Sequence, residues 1–205
     1  MNSREERSLE WHLHEISRAI NEDQYMIMEF LSPIVDGCRA AFNVDIERAK
    51  DIHKLSEDEF QEYMDATGDS YQDISICIRV QNDTQFAFIF ERGFTEVSDE
   101  CIEPDVVIAG SREVLTDLFD TDSKSSPADL IAEAIDIAGL DTDTVVESLG
   151  LLAYPTLLKM ARSGIDPSSL LAEDADSVIM AAASDLITKM VKSWIDKQVV
   201  SISSD

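Results

Sequence analysis

The three histidines are the side chains in this sequence whose chemistry stands out first. His12 and His14 lie two positions apart, so on a helix they point in different directions and cannot share a metal ion. Glu10 and His14 lie four positions apart and could share one, but two ligands leave a metal site incomplete and no second pair has matching spacing. We therefore interpret these residues as surface positions of a helix, and His53, alone in a charged segment, as solvated.

The sequence contains none of the short motifs that identify common enzyme classes. It has no nucleophile elbow, no phosphate-binding glycine loop, no dinucleotide fingerprint and no zinc-protease helix motif. Because 42 residues are Asp or Glu, the spacing of any two carboxylates carries no information. Catalytic residues can meet in space without being close in sequence, so this absence lowers the odds of catalysis without excluding it. We predict a non-catalytic protein with no cofactor and no metal.

The composition indicates a folded, strongly acidic protein. The formal net charge is −26 and the isoelectric point is about 4.2, with the acidic residues spread along the chain. Such a surface repels nucleic-acid backbones and anionic membranes, so we predict no nucleic-acid partner. A high-salt cytoplasm, as in some archaea, and an ordinary acidic protein both fit this charge, because net charge reports on solubility rather than on fold.

Three features of the sequence bear on its location. The first residues are charged and lack the apolar core of a secretory signal. No run of about 18 apolar residues could cross a bilayer, so we expect no stable membrane insertion. Cys38, Cys77 and Cys101 are an odd, widely spaced set without a CxxC pair, which favours reduced thiols packed as small core residues. Together these features predict a cytoplasmic protein.

Hydrophobic periodicity predicts helical ends and a β-rich centre. Apolar residues at steps of three and four predict an amphipathic helix over 4–20, and a longer stripe predicts another over 176–197. Alternation and turn signals predict four strands, at 74–80, 85–90, 94–97 and 106–109. Further helices are predicted at 33–42, 45–64, 111–119 with Ser111 as the N-cap, 126–138 and 151–163. Residues 143–150 fit either a short strand or the first turn of a helix.

The second strand carries Phe86, Phe88 and Phe90 on one face. The ordinary interpretation is a face that packs into the core, because most inward strand faces do so. The alternative is one wall of an apolar ligand pocket, because such pockets are lined mainly by aliphatic and aromatic side chains. The stripe by itself is compatible with both.

Residues 101–119, CIEPDVVIAGSREVLTDLF, run from a Pro-Asp step through a Val- and Ile-rich strand into a short helix. Placed after a hairpin and a third strand, this segment resembles the sterol carrier protein 2 family, and the resemblance covers residues 70–164. It matches 126–135 to the family's Pro-containing helix and 143–161 to its last strand and the following helix, which favours strand for 143–148. The resemblance implies an apolar cavity between sheet and helices.

We therefore predict an α+β fold, with a small, mostly antiparallel five-stranded sheet covered by helices. Its core spans 70–164, flanked by a helical N-terminal region at 1–69 and a helical C-terminal extension at 165–205. The resemblance implies non-catalytic binding or carriage of a hydrophobic small molecule, such as a lipid, an isoprenoid or a fatty acyl chain. The predicted cavity wall, with Met190 and Trp194 in a lid, also includes Ile76, Ile78, Phe86, Phe88, Phe90, Val107, Leu115, Leu118 and Phe119.

The alternative function belongs to another class. In it the core is filled, no ligand is bound, and the chain is a protein-interaction or dimerisation module. An exposed apolar face on 176–197 would then bury itself in a partner, for example in a homodimer.

Overall fold

The computed structural model describes residues 7–22, 27, 31, 34–35, 73–91, 94–140, 142–162 and 175–202. Cys38, His53, the helix predicted over 45–64 and most of that over 33–42 lie outside these residues. The described helices are α1 Leu9–Glu22, α2 Arg112–Phe119, α3 Pro127–Glu133, α4 Thr142–Arg162 and α5 Ala175–Ile202. The described strands are β1 Asp73–Val80, β2 Gln85–Glu91, β3 Phe94–Ser98, β4 Val106–Gly110 and β5 Asp136–Gly139.

The described strands form one sheet in the order β3-β2-β1-β4-β5. β2 runs antiparallel to β1 and to β3, and β5 runs antiparallel to β4. β4 instead lies parallel to β1, with Val106 opposite Ile76 and Ile108 opposite Ile78. The fold is therefore α+β with a mixed sheet, and the prediction of a mostly antiparallel sheet is wrong.

The parallel pair arises from the route of the chain after β3. Two hairpins carry the chain from β1 to the edge strand β3, and residues 99–105 then cross back so that β4 enters beside β1 in the same direction. Two bonds fix this entry. The N–H of Ser75 donates to Asp105 Oδ2 at 2.8 Å, and the N–H of Asp105 donates to the Ser75 carbonyl at 2.9 Å. Periodicity alone could not reveal such a crossover.

One face of the sheet carries the core. α4 packs against β1, β4 and β5, α2 packs against β4, and α1 packs against β3 and α2, while α5 packs against α3 and α4. As predicted, α1 buries Leu9, Leu13, Ile16 and Ile20. The sheet contributes the alternating residues of its inner face: Ile74, Ile76, Ile78, Phe86, Phe88, Phe90, Val106, Ile108 and Ile137.

The turn from β4 into α2 follows the prediction. β4 ends at Gly110, and the Ser111 Oγ accepts the N–H of Val114 at 3.3 Å, so Ser111 is the N-cap of α2. The helix buries Leu115, Leu118 and Phe119. These three residues are spaced so that they share one face of the helix, which is the face turned to the core.

The fifth strand lies earlier in the chain than predicted. α3 ends at Glu133, and Asp136–Gly139 forms β5, so the predicted helix over 126–138 is too long. Ile135 and Ile137 are buried while Asp136 and Ala138 are exposed, which is the period of a strand. Residues 143–148, where the resemblance favours strand, belong instead to α4.

The terminal helices reach the two edges of the sheet. On the outer edge of β3, the Asn21 side chain of α1 bonds both backbone groups of Thr95, and the Ser17 hydroxyl donates to the Thr95 carbonyl at 3.0 Å. The Thr95 hydroxyl in turn donates to the Ser17 carbonyl at 3.0 Å. Thr95 is buried, so these bonds replace the water that an open edge strand would bind.

On the opposite edge, side chains of α5 donate hydrogen bonds to the backbone of β5 and of the residue just before it. Trp194 Nε1 donates to the Ile137 carbonyl at 3.3 Å, and Lys197 Nζ donates to the Ile135 carbonyl at 2.7 Å. α5 continues to Ile202, beyond its predicted end at 197. Because unpaired strand edges are templates for other chains, side chains placed on both edges act against edge-to-edge association.

Candidate functional site

Most of the predicted wall residues lie in the packed core. Nine of the eleven are at most 4% exposed: Ile76, Ile78, Phe86, Phe88, Phe90, Leu115, Leu118, Phe119 and Met190. They belong to one hydrophobic cluster with residues of α1 and α4. The structure thus brings the strand residues and the helix residues together between the sheet and its helical cover.

Val107 does not belong to this wall. In the parallel register Val107 stands opposite Cys77, whereas Val106 stands opposite Ile76. Side chains alternate across a strand, so Val107 lies on the sheet face opposite the phenylalanines. Grouping it with them is therefore an error, which arose because the unbroken apolar run VVIA gives no alternation from which to assign its faces.

The two predicted lid residues occupy different surroundings. Met190 is fully buried, as are Ala183, Ile187 and Val191 on the same helix. Trp194 is half-buried and lies at the edge of β5, where its indole N–H bonds the Ile137 carbonyl. The α5 face that the alternative function would expose is thus largely used within the chain, against α3 and α4.

The larger of the two described cavities is an open groove of about 950 Å³ between the start of α1 and α2. Its two arginine side chains are engaged at its edges. Arg7 lies 4.1 Å from the centre of the Trp11 ring, and Arg112 bonds Asp83 Oδ2 at 2.7 Å. No predicted wall residue lines this groove, which is bounded by Arg7, Ser8, Leu9, Arg112, Glu113, Val114, Thr116, Asp117, Asp120 and Leu130.

The smaller described cavity has a volume of about 340 Å³ and lies between the loop after α2 and helices α4 and α5. Leu118 is the predicted wall residue that lines it. Most of its other lining side chains are polar, and they include Thr121, Ser123, Lys124, Ser125, Ser126, Thr156 and Lys159. Pro127, Met160 and Leu186 add apolar surface to the lining.

The polar groups of this smaller cavity bond one another. The Ser123 hydroxyl donates to Asp117 Oδ1 at 2.6 Å, and the Ser125 hydroxyl donates to Asp117 Oδ2. Lys159 Nζ donates to the Ser123 carbonyl, which ties the loop to α4. These bonds hold the connection between α2 and α3 in place, so their first role is structural.

The histidines give a different picture from the prediction. His12 is 5% exposed rather than at the surface, and its Nδ1 lies 3.9 Å from Asp120 Oδ1. It is buried because α2 and the loop after it pack on α1. His14 is exposed, as predicted. Among the described residues, no three His, Cys, Asp or Glu side chains are placed to hold a metal ion.

Cys77 and Cys101 form a disulfide, with their Cα atoms 5.5 Å apart. The prediction of reduced thiols is therefore wrong for these two cysteines. Cys77 lies on the central strand β1, on the face opposite the phenylalanines, and Cys101 lies in the crossover from β3 to β4. The bond pins the crossover to the middle of the sheet. Sequence spacing could not reveal it, because the pairing depends on where the crossover passes.

Large apolar side chains outside the core are a second feature that the sequence did not single out. Ile102 and Leu140 are 73% and 76% exposed, and Phe94 is 61% exposed. Ile102 lies in the crossover, and Leu140 follows β5. Neither Ile102 nor Leu140 lies in a segment with helical or strand periodicity, so the hydrophobic pattern does not predict their exposure.

Comparisons of the chain with protein-family models, with curated proteins and with solved structures found no match. The resemblance to the sterol carrier protein 2 family therefore depends on the sequence motifs alone. None of the described helices combines the length and the apolar character that crossing a membrane requires.

Proposed function

We propose that this chain is a non-catalytic interaction module with a filled core and no bound ligand. The burial of the predicted wall is the observation that supports it. A side chain that lines a ligand-sized cavity keeps surface that a water molecule can touch, even when the cavity is closed. Phe86, Phe88 and Phe90 are only 2%, 4% and 0% exposed, as expected for a core packed at ordinary protein density.

Carriage of a hydrophobic ligand is the competing proposal, and it needs more room at this face. Pockets for small molecules typically occupy about 300–1,000 Å³ and are lined mainly by apolar side chains. The two described cavities reach such volumes, but they lie beside α2 rather than over the phenylalanines. A carrier would have to open its core and give up packing contacts to bind, so we rank this function second.

The proposal assigns the interaction to a surface other than α5. Met190 and Val191 are fully buried, and the Trp194 indole is committed to the edge of β5. A homodimer formed through the apolar stripe of α5 would first have to detach that helix from α3 and α4. We therefore place the interaction surface among apolar side chains that are already exposed.

The cytoplasmic location expected from the sequence is part of the proposal, and the disulfide provides its test. Disulfides persist mainly in oxidising compartments and are rare in a reducing cytoplasm. Free thiols at Cys77 and Cys101 in freshly lysed cells that are quenched with an alkylating reagent would support the cytoplasmic location, since the bond would then form only on exposure to air. A bond already intact at lysis contradicts a reducing location.

The filled core can be tested by looking for the ligand. Protein purified without detergent is extracted with organic solvent, and the extract is analysed by mass spectrometry. The same protein is titrated with a fluorescent fatty acid analogue. We expect no stoichiometric lipid and no saturable binding. The matched control is Phe88→Ala, which opens space at the same face and could admit the probe. An equimolar co-purified lipid, or saturable binding by the unchanged chain, would support carriage instead.

A further inference from the structure

We propose that the end of the sheet where Ile102 and Leu140 emerge is a docking surface for a cationic protein segment with apolar side chains at its centre. The surface, here the Ile102–Leu140 corner, consists of these two residues and the acidic residues Asp99, Glu100 and Glu103. This inference rests on the proposed function, since it names the surface and the partner class of the interaction module.

The two apolar side chains come from neighbouring parts of the backbone. Ile102 is 73% exposed and Leu140 is 76% exposed, which is more than the 61% of Phe94. The N–H of Leu140 donates to the Asp105 carbonyl at 3.0 Å, so the end of β5 is bonded to the last residue of the crossover. The Leu140 backbone therefore lies beside Asp105, three residues after Ile102, at the end of the sheet where β4 begins and β5 ends.

The position of Ile102 is fixed on both sides. Before it, the disulfide joins Cys101 to the central strand. After it, Glu103 has a φ of 43°, a conformation that non-glycine residues rarely adopt, and Pro104 follows. A segment that is already fixed loses little conformational freedom on binding, so an exposed side chain held in this way is well suited to anchor a partner.

The surrounding charge selects the partner. Asp99, Glu100 and Glu103 are all exposed in the same crossover, and the whole chain carries a net charge of −26. A second copy of the chain would bring like charges together, whereas Lys and Arg side chains would find opposite charges around the apolar pair. An apolar centre with a polar rim is the usual anatomy of a protein interface, and complementary charge steers the encounter.

The test uses the full chain and two synthetic peptides of equal length and charge. One alternates lysine with leucine, and the other alternates lysine with serine. Affinities are measured by isothermal titration at low and at high KCl. We expect the leucine peptide to bind at least about tenfold more tightly than the serine peptide, because only it can bury Ile102 and Leu140. The double variant Ile102→Ser/Leu140→Ser should lose that difference.

Phe94→Ser is the matched control, because it removes another exposed apolar side chain, from β3 at the other edge of the sheet. It should leave the preference for the leucine peptide unchanged. Equal affinity for both peptides, a preference that survives the double variant, or an equal loss in Phe94→Ser would each overturn the inference. So would a dimer in sedimentation velocity that dissociates in the double variant, because the occupant would then be a second copy. These outcomes leave the ligand-free core untouched, so failure of the corner is distinguishable from failure of the proposed function.

Discussion

Asn21 on α1 and Thr95 on β3 form a two-bond pair that continues the sheet with a side chain. Asn21 Nδ2 donates to the Thr95 carbonyl at 2.9 Å, and the Thr95 N–H donates to Asn21 Oδ1 at 2.7 Å. The amide thus supplies one donor and one acceptor, as the backbone of a neighbouring strand would. The pair joins positions 74 residues apart and fixes the N-terminal helix to the edge of the sheet.

Replacing Asn21 by Ala should destabilise the protein by about 1–3 kcal/mol, because the buried Thr95 N–H loses its partner and the Thr95 carbonyl keeps only the Ser17 hydroxyl. Urea denaturation followed by circular dichroism measures the change. Glu22→Ala is the control, because Glu22 is the exposed neighbour of Asn21 and its replacement should change the stability by less than about 0.5 kcal/mol. Equal stability of the two variants would mean that the pair contributes nothing to the fold.

Replacing Phe88 by Ala distinguishes a filled core from a hollow one. In a filled core the loss should be about 3–5 kcal/mol, since the substitution removes apolar contacts and leaves a cavity. Val107→Ala, on the other face of the sheet and half-exposed, should cost much less. Thermal and urea unfolding of both variants provide the comparison. A small loss for Phe88→Ala, similar to that of Val107→Ala, would indicate that Phe88 already borders empty space.

The disulfide should contribute about 3 kcal/mol to stability once it is formed. Its cysteines are separated by 24 positions, and closing a loop of this length lowers the conformational entropy of the unfolded chain, which is equivalent to a free energy of about 3 kcal/mol. The double variant Cys77→Ala/Cys101→Ser should therefore have a lower urea midpoint than the oxidised protein, and a midpoint close to that of the reduced protein.

The pairing itself can be counted by alkylation of the purified, unfolded protein. Without reduction one of the three cysteines should react, and after reduction all three should react. Reaction of all three without reduction would show that the bond does not form, and the stability difference between the oxidised and reduced proteins should then vanish.

Added salt should raise the melting temperature. The chain has 42 acidic and 16 basic residues, so repulsion among carboxylates opposes folding at low ionic strength. Raising KCl from about 0.1 M to about 1 M shortens the screening length from about 10 Å to about 3 Å and weakens this repulsion. Scanning calorimetry across that range measures the effect.

A variant with fewer charges provides the control for the salt response. Asp99→Asn/Glu100→Gln/Glu103→Gln removes three exposed negative charges from one loop. Its melting temperature should depend less steeply on KCl than that of the unchanged chain. A flat response in the unchanged chain would contradict adaptation of this surface to high salt.

Local signals in the sequence were sufficient wherever one segment determines its own structure. The β1–β2 hairpin, the Ser111 cap and the buried face of α2 all follow from alternation, turn residues and capping within a few positions. The segment around Ile135 shows where such signals conflict. Ile131 and Ile135 fit a helix, Ile135 and Ile137 fit a strand, and packing beside β4 determined the outcome.

Features that depend on contacts between distant segments could not be predicted from the sequence patterns. The parallel β1–β4 pair and the Cys77–Cys101 bond both follow from where residues 99–105 cross the sheet, and no pattern within that segment specifies its path. Burial of the phenylalanine stripe was predictable. Whether it borders other side chains or a ligand depends on helices contributed by both ends of the chain.

The strand order also constrains the sequence of folding events. β1, β2 and β3 are consecutive and joined by hairpins, so they can assemble through short-range contacts. β4 must then reach across them to pair with β1, whose Ser75 lies 30 residues upstream of Asp105. Closing that longer loop carries the larger entropic cost, so we expect β4 to dock after β1, β2 and β3 have assembled. Because Cys101 lies within the crossing segment, the rate at which its disulfide with Cys77 forms during refolding reports on the docking of β4.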